Sequence, residues 1–259
     1  MRFDVGDKMS KLFKALGSLI LVAVCLDGLQ ARAQQKPVFA KATVTRAGAK
    51  DGSKVSGSKA PDTSNVVVWL VPLDHLGVAV PVSSKLPNPP QLVQRDKTFE
   101  PHVLIVPLGT MVEFPNHDPF FHNIFSLYDG RRFDLGLYES GTKRSVKFDR
   151  PGVSYLFCNI HAEMSAVVVS VDTPYFALSD GNGNVTIRNV PDGRYQMHVW
   201  YERSAPEQLQ ELTRVVIISD SSRNLGVIQL VEMPNFTLAH KNKYGLDYVP
   251  PPNPDYDHP

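Results

Sequence analysis

The sequence predicts an all-β protein of two small β-sandwiches, and three observations carry that prediction. Beyond position 33 the apolar residues fall in short runs separated by Gly, Pro, Asn and Asp, the pattern of strands joined by turns. No stretch repeats apolar residues at helical spacing. Residues 91–172 lay out as one compact sandwich, and the strand-like runs from 173 to 232 read as a second. Hydrophobic residues make up 42% and charged residues 20% of the 259, enough apolar material for real cores.

The chain opens on an expected export signal, residues 1–33. Lys8, Lys11 and Lys14 give a basic start, 15–26 is an apolar run, and Ala31-Arg32-Ala33 offers small residues for cleavage. That run ends at Asp27, well short of the roughly 20 residues that span a bilayer. Met9 offers an alternative start with a shorter basic region, and Val24 sits where lipid attachment at Cys25 would want a small residue. The expectation is a periplasmic protein of a Gram-negative bacterium, with no transmembrane segment after cleavage. Loss of 1–33 leaves 22 basic against 23 acidic residues, a balance that argues against a nucleic-acid partner. It also leaves Cys158 alone, without an intramolecular disulfide partner. A lone thiol in an oxidising compartment is a liability unless it is buried or holds a metal.

Strands are expected at 38–46, 66–71, 102–106, 111–114, 146–148, 154–158, 166–171, 185–187, 195–201, 214–218 and 226–230. Residues 47–64, rich in Lys, Ser and Gly, read as a solvated loop, and 81–90 as a Pro/Ser connector. Gly109 marks a turn between two strands, and Ser154, Leu156 and Cys158 share one strand face. Residues 178–187 read as a hairpin around Asp180-Gly-Asn-Gly-Asn184, which imitates a calcium loop without its glycine or closing Glu. The tail, 233–259, is rich in Pro, Tyr and Asn and is expected to lack a core of its own.

The chemistry concentrates in Cys158-Asn-Ile-His161-Ala-Glu-Met164, with His122-Asn123 thirty-six residues earlier. One cysteine, two histidines and a methionine are the donor set of a blue-copper electron-transfer centre. Thiolate and thioether favour Cu(I) while imidazole suits Cu(II), so a mixed shell changes oxidation state with little ligand movement. Singly, none of the four would be informative, since a lone buried Cys is usually a small hydrophobe. His75, His102 and His198 read as ordinary polar residues, His117 as a loop brace, and His240 and His258 as tail residues able to bind stray metal.

With Phe114-Pro-Asn-His-Asp upstream, these motifs make residues 91–172 resemble the cupredoxins, the plastocyanin and amicyanin type of blue copper protein, over about a third of the chain. The short cysteine loop is similar to the amicyanin form. The resemblance implies one type 1 copper in a trigonal shell of His122, Cys158 and His161, with Met164 as weaker axial ligand. It implies that Asn123 ties down the cysteine loop, that Asn116 braces the preceding loop, and that His161 is the electron port. Pro119, Phe120, Phe121, Ile160 and Ala162 would then form an apolar patch for transient redox partner proteins. Leu178 to Tyr195 resembles the transthyretin-like modules of carboxypeptidase regulatory domains, whose first two strands would have to come from residues 37–85. The copper domain, 91–172, is therefore expected to be inserted into a sandwich split between 37–85 and 173–232.

Rival chemistries fit less well. Phe157 and Asn159 flank the cysteine where copper oxidases and nitrite reductases carry histidines that serve further coppers. A cysteine hydrolase lacks an oxyanion-holding helix beside Cys158 and His161, and zinc would have to use Cys, two His and Glu163. The expected function is a non-enzymatic electron carrier, without catalytic residues. Copper storage or delivery, or a non-redox binding scaffold, is the alternative.

Overall fold

A computed structural model describes residues 36–47, 61–74, 88–127, 129–234 and 236–249. The expected signal at 1–33, His75, His258 and most of the two connectors lie outside the described residues. The described residues are all-β: strands β1 (Lys36–Arg46), β2 (Val67–Pro72), β3 (Val93–Arg95), β4 (Thr98–Glu100), β5 (Val103–Pro107), β6 (Thr110–Pro115), β7 (His122–Ser126), β8 (Phe133–Tyr138), β9 (Lys143–Phe148), β10 (Gly152–Cys158), β11 (Ser165–Val171), β12 (Phe176–Leu178), β13 (Asn184–Val190), β14 (Gly193–Trp200), β15 (Arg214–Ile218) and β16 (Asn224–Glu232), and among them one short helix, α1 (Pro206–Glu211).

The strands form stacked layers with apolar clusters between them. An outer sheet, β13-β1-β16, faces the sheet β12-β2-β14-β15. Along β1, Val38, Ala40, Ala42 and Val44 alternate inward to meet Leu70, Tyr195 and Met197, as period-two packing requires. Strands from 36–72 thus pair with strands from 176–232: β1 with β13 and β16, β2 with β12 and β14.

Between those segments lies the sheet β5-β11-β10-β7-β8. Its other face packs on the pairs β3–β4 and β6–β9, which bridges at Gln91–Glu113 and Gln94–Asn116 join. Phe114, Ile124, Phe148, Leu156 and Cys158 fill the space. Every residue of β11 is buried, the mark of a strand covered on both faces. Ala166 and Val168 point into this core, while Val167, Val169 and Val171 meet Val67 and Trp200 of the neighbouring sandwich. Each buried valine is worth about 1.5–3 kcal/mol, so the seam is apolar glue rather than a loose contact.

Several expectations change. Residues 178–187 form no hairpin: β12 pairs with β2 and β13 with β1, so the turn crosses from one sheet to the other. Asp180 holds that corner by accepting from the N–H groups of Asn182 and Asn184. Gly183 there has φ +82°, and a side chain would run into the Ala42 carbonyl. Strands β3, β4, β7, β8 and β12 and helix α1 were not expected from sequence.

His102, expected to be an unremarkable polar residue, links the two sandwiches. Its Nδ1 meets the Ser165 carbonyl at 3.1 Å and its Nε2 lies 2.7 Å from a Glu202 carboxylate oxygen. The hydrogen bond to Glu202 raises the imidazole pKa against the opposing effect of burial. A raised histidine adds stability that is fully present below its unfolded value of about 6.5 and fades as pH climbs through the folded value. His102→Gln is therefore expected to lower Tm at pH 6 more than at pH 9; equal losses at both would refute a charged link.

Candidate metal centre

Local register brings two distant stretches to one point. Cys158 pairs with Ile124, and Phe157 with Phe125, across antiparallel β10 and β7. His122 lies two residues before Ile124, so the pleat turns it and Cys158 to the same inner face. Beyond Cys158 the chain folds back: Cys158 N–H donates to Met164 O and Met164 N–H to His161 O, each at 3.2 Å. Asn159 N–H donates to Asn123 O at 3.0 Å, fixing the loop beside the first histidine.

The Nδ1 atoms of His122 and His161 each lie 3.6 Å from the Cys158 sulfur. All three donor atoms sit within 4.8 Å of one another, and together they could hold a metal ion. A nitrogen at about 2.0–2.1 Å and a sulfur at about 2.3 Å from one metal, about 110–120° apart, would be separated by roughly 3.5–3.8 Å, so the observed spacing suits a shared ion. His122 and Cys158 are fully buried, and Met164 is fully buried in the same apolar cluster as Cys158. His161 is half-buried, its ring centroid 4.9 Å from that of His122 and 5.3 Å from Phe120.

Burial sets the protonation. It pushes the Cys158 thiol pKa up, and the N–H groups of Asn123, Ile160 and His161 only partly pull it back. It pushes His122 down, against the pull of Asp118. The Nε2–H of His122 donates to Asp118 Oδ2 at 2.8 Å. A carboxylate can only accept, so the proton belongs on Nε2 and the Nδ1 lone pair faces the sulfur.

Asp118 closes the Phe114-Pro-Asn-His-Asp motif, where the sequence assigns it no role, yet it is 3% exposed and also accepts the N–H groups of Asp96 at 2.6 Å and Lys97 at 3.1 Å. Its one sequence signal is a carboxylate four residues before a candidate ligand. Asn116 is buried and braces that loop: its Nδ2 donates to Phe120 O at 2.8 Å and its Oδ1 accepts Asp118 N–H at 3.0 Å. Asn123 reaches the cysteine loop through its backbone only; its side-chain Nδ2 donates to Asp134 at 2.7 Å instead. Pro119, Phe121, Ile160 and Ala162 are exposed and Phe120 half-buried. His117 lies beside Arg95, and His198 stacks on Trp69 at 5.0 Å. His240, expected in a free tail, stacks instead on Phe157 at 4.1 Å.

No family model and no curated protein matches the chain. Among solved structures, a purple cupredoxin from Nitrosopumilus maritimus is 23% identical over 32% of this chain and 99% of its own, with a TM-score of 0.30. A copper-containing nitrite reductase from Thermus scotoductus is 28% identical over 40% of this chain, with a TM-score of 0.33; the match spans 28% of that enzyme. A reduced Cu(I) amicyanin variant is 17% identical over 35% of this chain and 89% of its own, with a TM-score of 0.31. The candidate centre itself stands on its donor geometry.

Proposed function

We propose that this protein is a periplasmic type 1 copper electron carrier, with His122, Cys158 and His161 as ligands and Met164 as the weaker fourth. The observation that carries the reading is the preformed pair of 3.6 Å contacts between the Cys158 sulfur and the two imidazoles. A soft thiolate with a thioether nearby suits copper better than zinc or a hard cation. When bound, copper supplies a one-electron Cu(I)/Cu(II) couple. The protein's share is to hold the donors in place, keep water out around two fully buried ligands, and leave the His161 edge near the surface. Exposed Pro119, Phe121, Ile160 and Ala162, with Phe120, give a small apolar face for brief encounters with redox partners. No helix among the described residues is long and apolar enough to cross a membrane.

Cupric salt added to the metal-free protein is expected to give an intense visible band that a one-electron reductant bleaches and an oxidant restores. A protein that stays colourless, or takes up zinc alone, defeats the reading. Retention of copper against a chelator separates a carrier from a storage or delivery protein, which would surrender it. Because burial keeps the Cys158 thiol protonated at neutral pH, copper uptake should release about one proton, and apparent affinity should rise about tenfold per pH unit below the thiol pKa. Affinity that is flat from pH 6 to 8 would mean a thiolate already present.

A further inference from the structure

We propose that the C-terminal strap, residues 240–248, is a positioning element of the metal centre, acting chiefly through Tyr248. The proposal rests on the copper reading above. Tyr248 O–H donates to the Cys158 carbonyl at 2.5 Å and lies 3.2 Å from His240 Nδ1. The His240 ring stacks on Phe157, and its buried Nε2 has no hydrogen-bond partner among the described residues. Lys243 N–H donates to Asn159 Oδ1 at 3.0 Å, and its ammonium pairs with Asp134 at 2.8 Å. Asp134 in turn accepts from Asn123, the neighbour of His122. One segment therefore holds the Cys158 carbonyl directly, the Asn159 side chain beside it and, through Asp134, the side chain of the residue next to His122.

The strap also has hydrogen bonds of its own. Asn242 accepts from Tyr244 and Leu246 and closes a turn at Gly245, where φ is +78°. No strap residue joins an apolar cluster among the described residues, so its contacts contribute to the cysteine loop rather than to the cores. That loop has few bonds of its own, chiefly those between Cys158, His161 and Met164. A restraint on the Cys158 carbonyl keeps the sulfur where both imidazoles can share an ion with it, and metal release requires those donors to part.

The test uses the full-length chain with Tyr248→Phe, and with Leu246→Ala as control, since Leu246 is 62% exposed on the same strap. In the copper-free protein, amide exchange across 158–164 should quicken about tenfold in Tyr248→Phe, as expected for one lost hydrogen bond. Transfer of Cu(I) to bathocuproine should quicken similarly, and the reduction potential should fall, with Tm unchanged. Lys243→Ala, which severs the Asp134 link, should move exchange the same way by about two- to fivefold. Unchanged exchange in both variants, or Leu246→Ala matching Tyr248→Phe, overturns the proposal. If the wild type takes up no copper, the copper reading fails, while the exchange comparison still decides the role of the strap.

Discussion

Cys158→Ser is expected to abolish the visible copper band and copper-dependent electron transfer while the protein still folds. The sulfur is fully buried and lies 3.6 Å from each imidazole, so no outside donor can replace it. A serine hydroxyl is harder, shorter and not ionised near neutral pH, which removes the soft anionic donor that copper selects. The cost in affinity should exceed the 10–100-fold typical of losing a partner outside the ligand shell. Stability should suffer less. The hydroxyl would enter an apolar cluster, but the N–H groups of Asn123, Ile160 and His161 already face that position, so the penalty should stay near the low end of 1–3 kcal/mol. Copper titration followed in the visible, with a thermal melt of the metal-free protein, checks both halves. A surviving band would show that the sulfur is not a ligand.

The cysteine loop was legible because its signal is local. Three donors fall within seven residues, and the flanking strands carry local patterns: β10 sets Ser154, Leu156 and Cys158 on one buried face, and β11 is apolar from Ala166 to Val169. Strand β7 was not legible: it opens on His122-Asn123, two polar residues buried by the site itself. Gly136, at φ +66°, interrupts β8, and β3, β4 and β12 are three residues each, too short for a period. Helix α1 has six residues and buries none of them, so it has no apolar stripe to find. The strap is a different failure. Its grip consists of single polar contacts made across 84 to 109 residues, and no window of sequence holds both partners.

Asp118→Ala is the second large effect to expect, and it separates folding from metal binding when set against Asp118→Asn. Asp96 and Lys97, at φ +51° and +55°, form the left-handed turn between β3 and β4. Such a turn aims successive N–H groups at one point and makes a small anion cradle. The Asp118 carboxylate fills that cradle while accepting from His122 Nε2. Alanine strands the buried His122 N–H, at about 1–3 kcal/mol for an unpaired group, and leaves the Asp96 and Lys97 N–H groups, whose bonds are only partly buried, to solvent, so the metal-free protein should lose about 2–4 kcal/mol. Asparagine keeps one oxygen for the cradle but must turn its NH2 toward a donor, so about one bond is lost. Its imidazole partner is then no longer held with Nδ1 free, and copper affinity should fall 10–100-fold in a protein that melts close to the wild type. Loss of a negative charge beside the centre should also raise the reduction potential, since that charge favours Cu(II) over Cu(I). Wild-type copper affinity and potential in Asp118→Asn would reduce Asp118 to a brace for the turn alone.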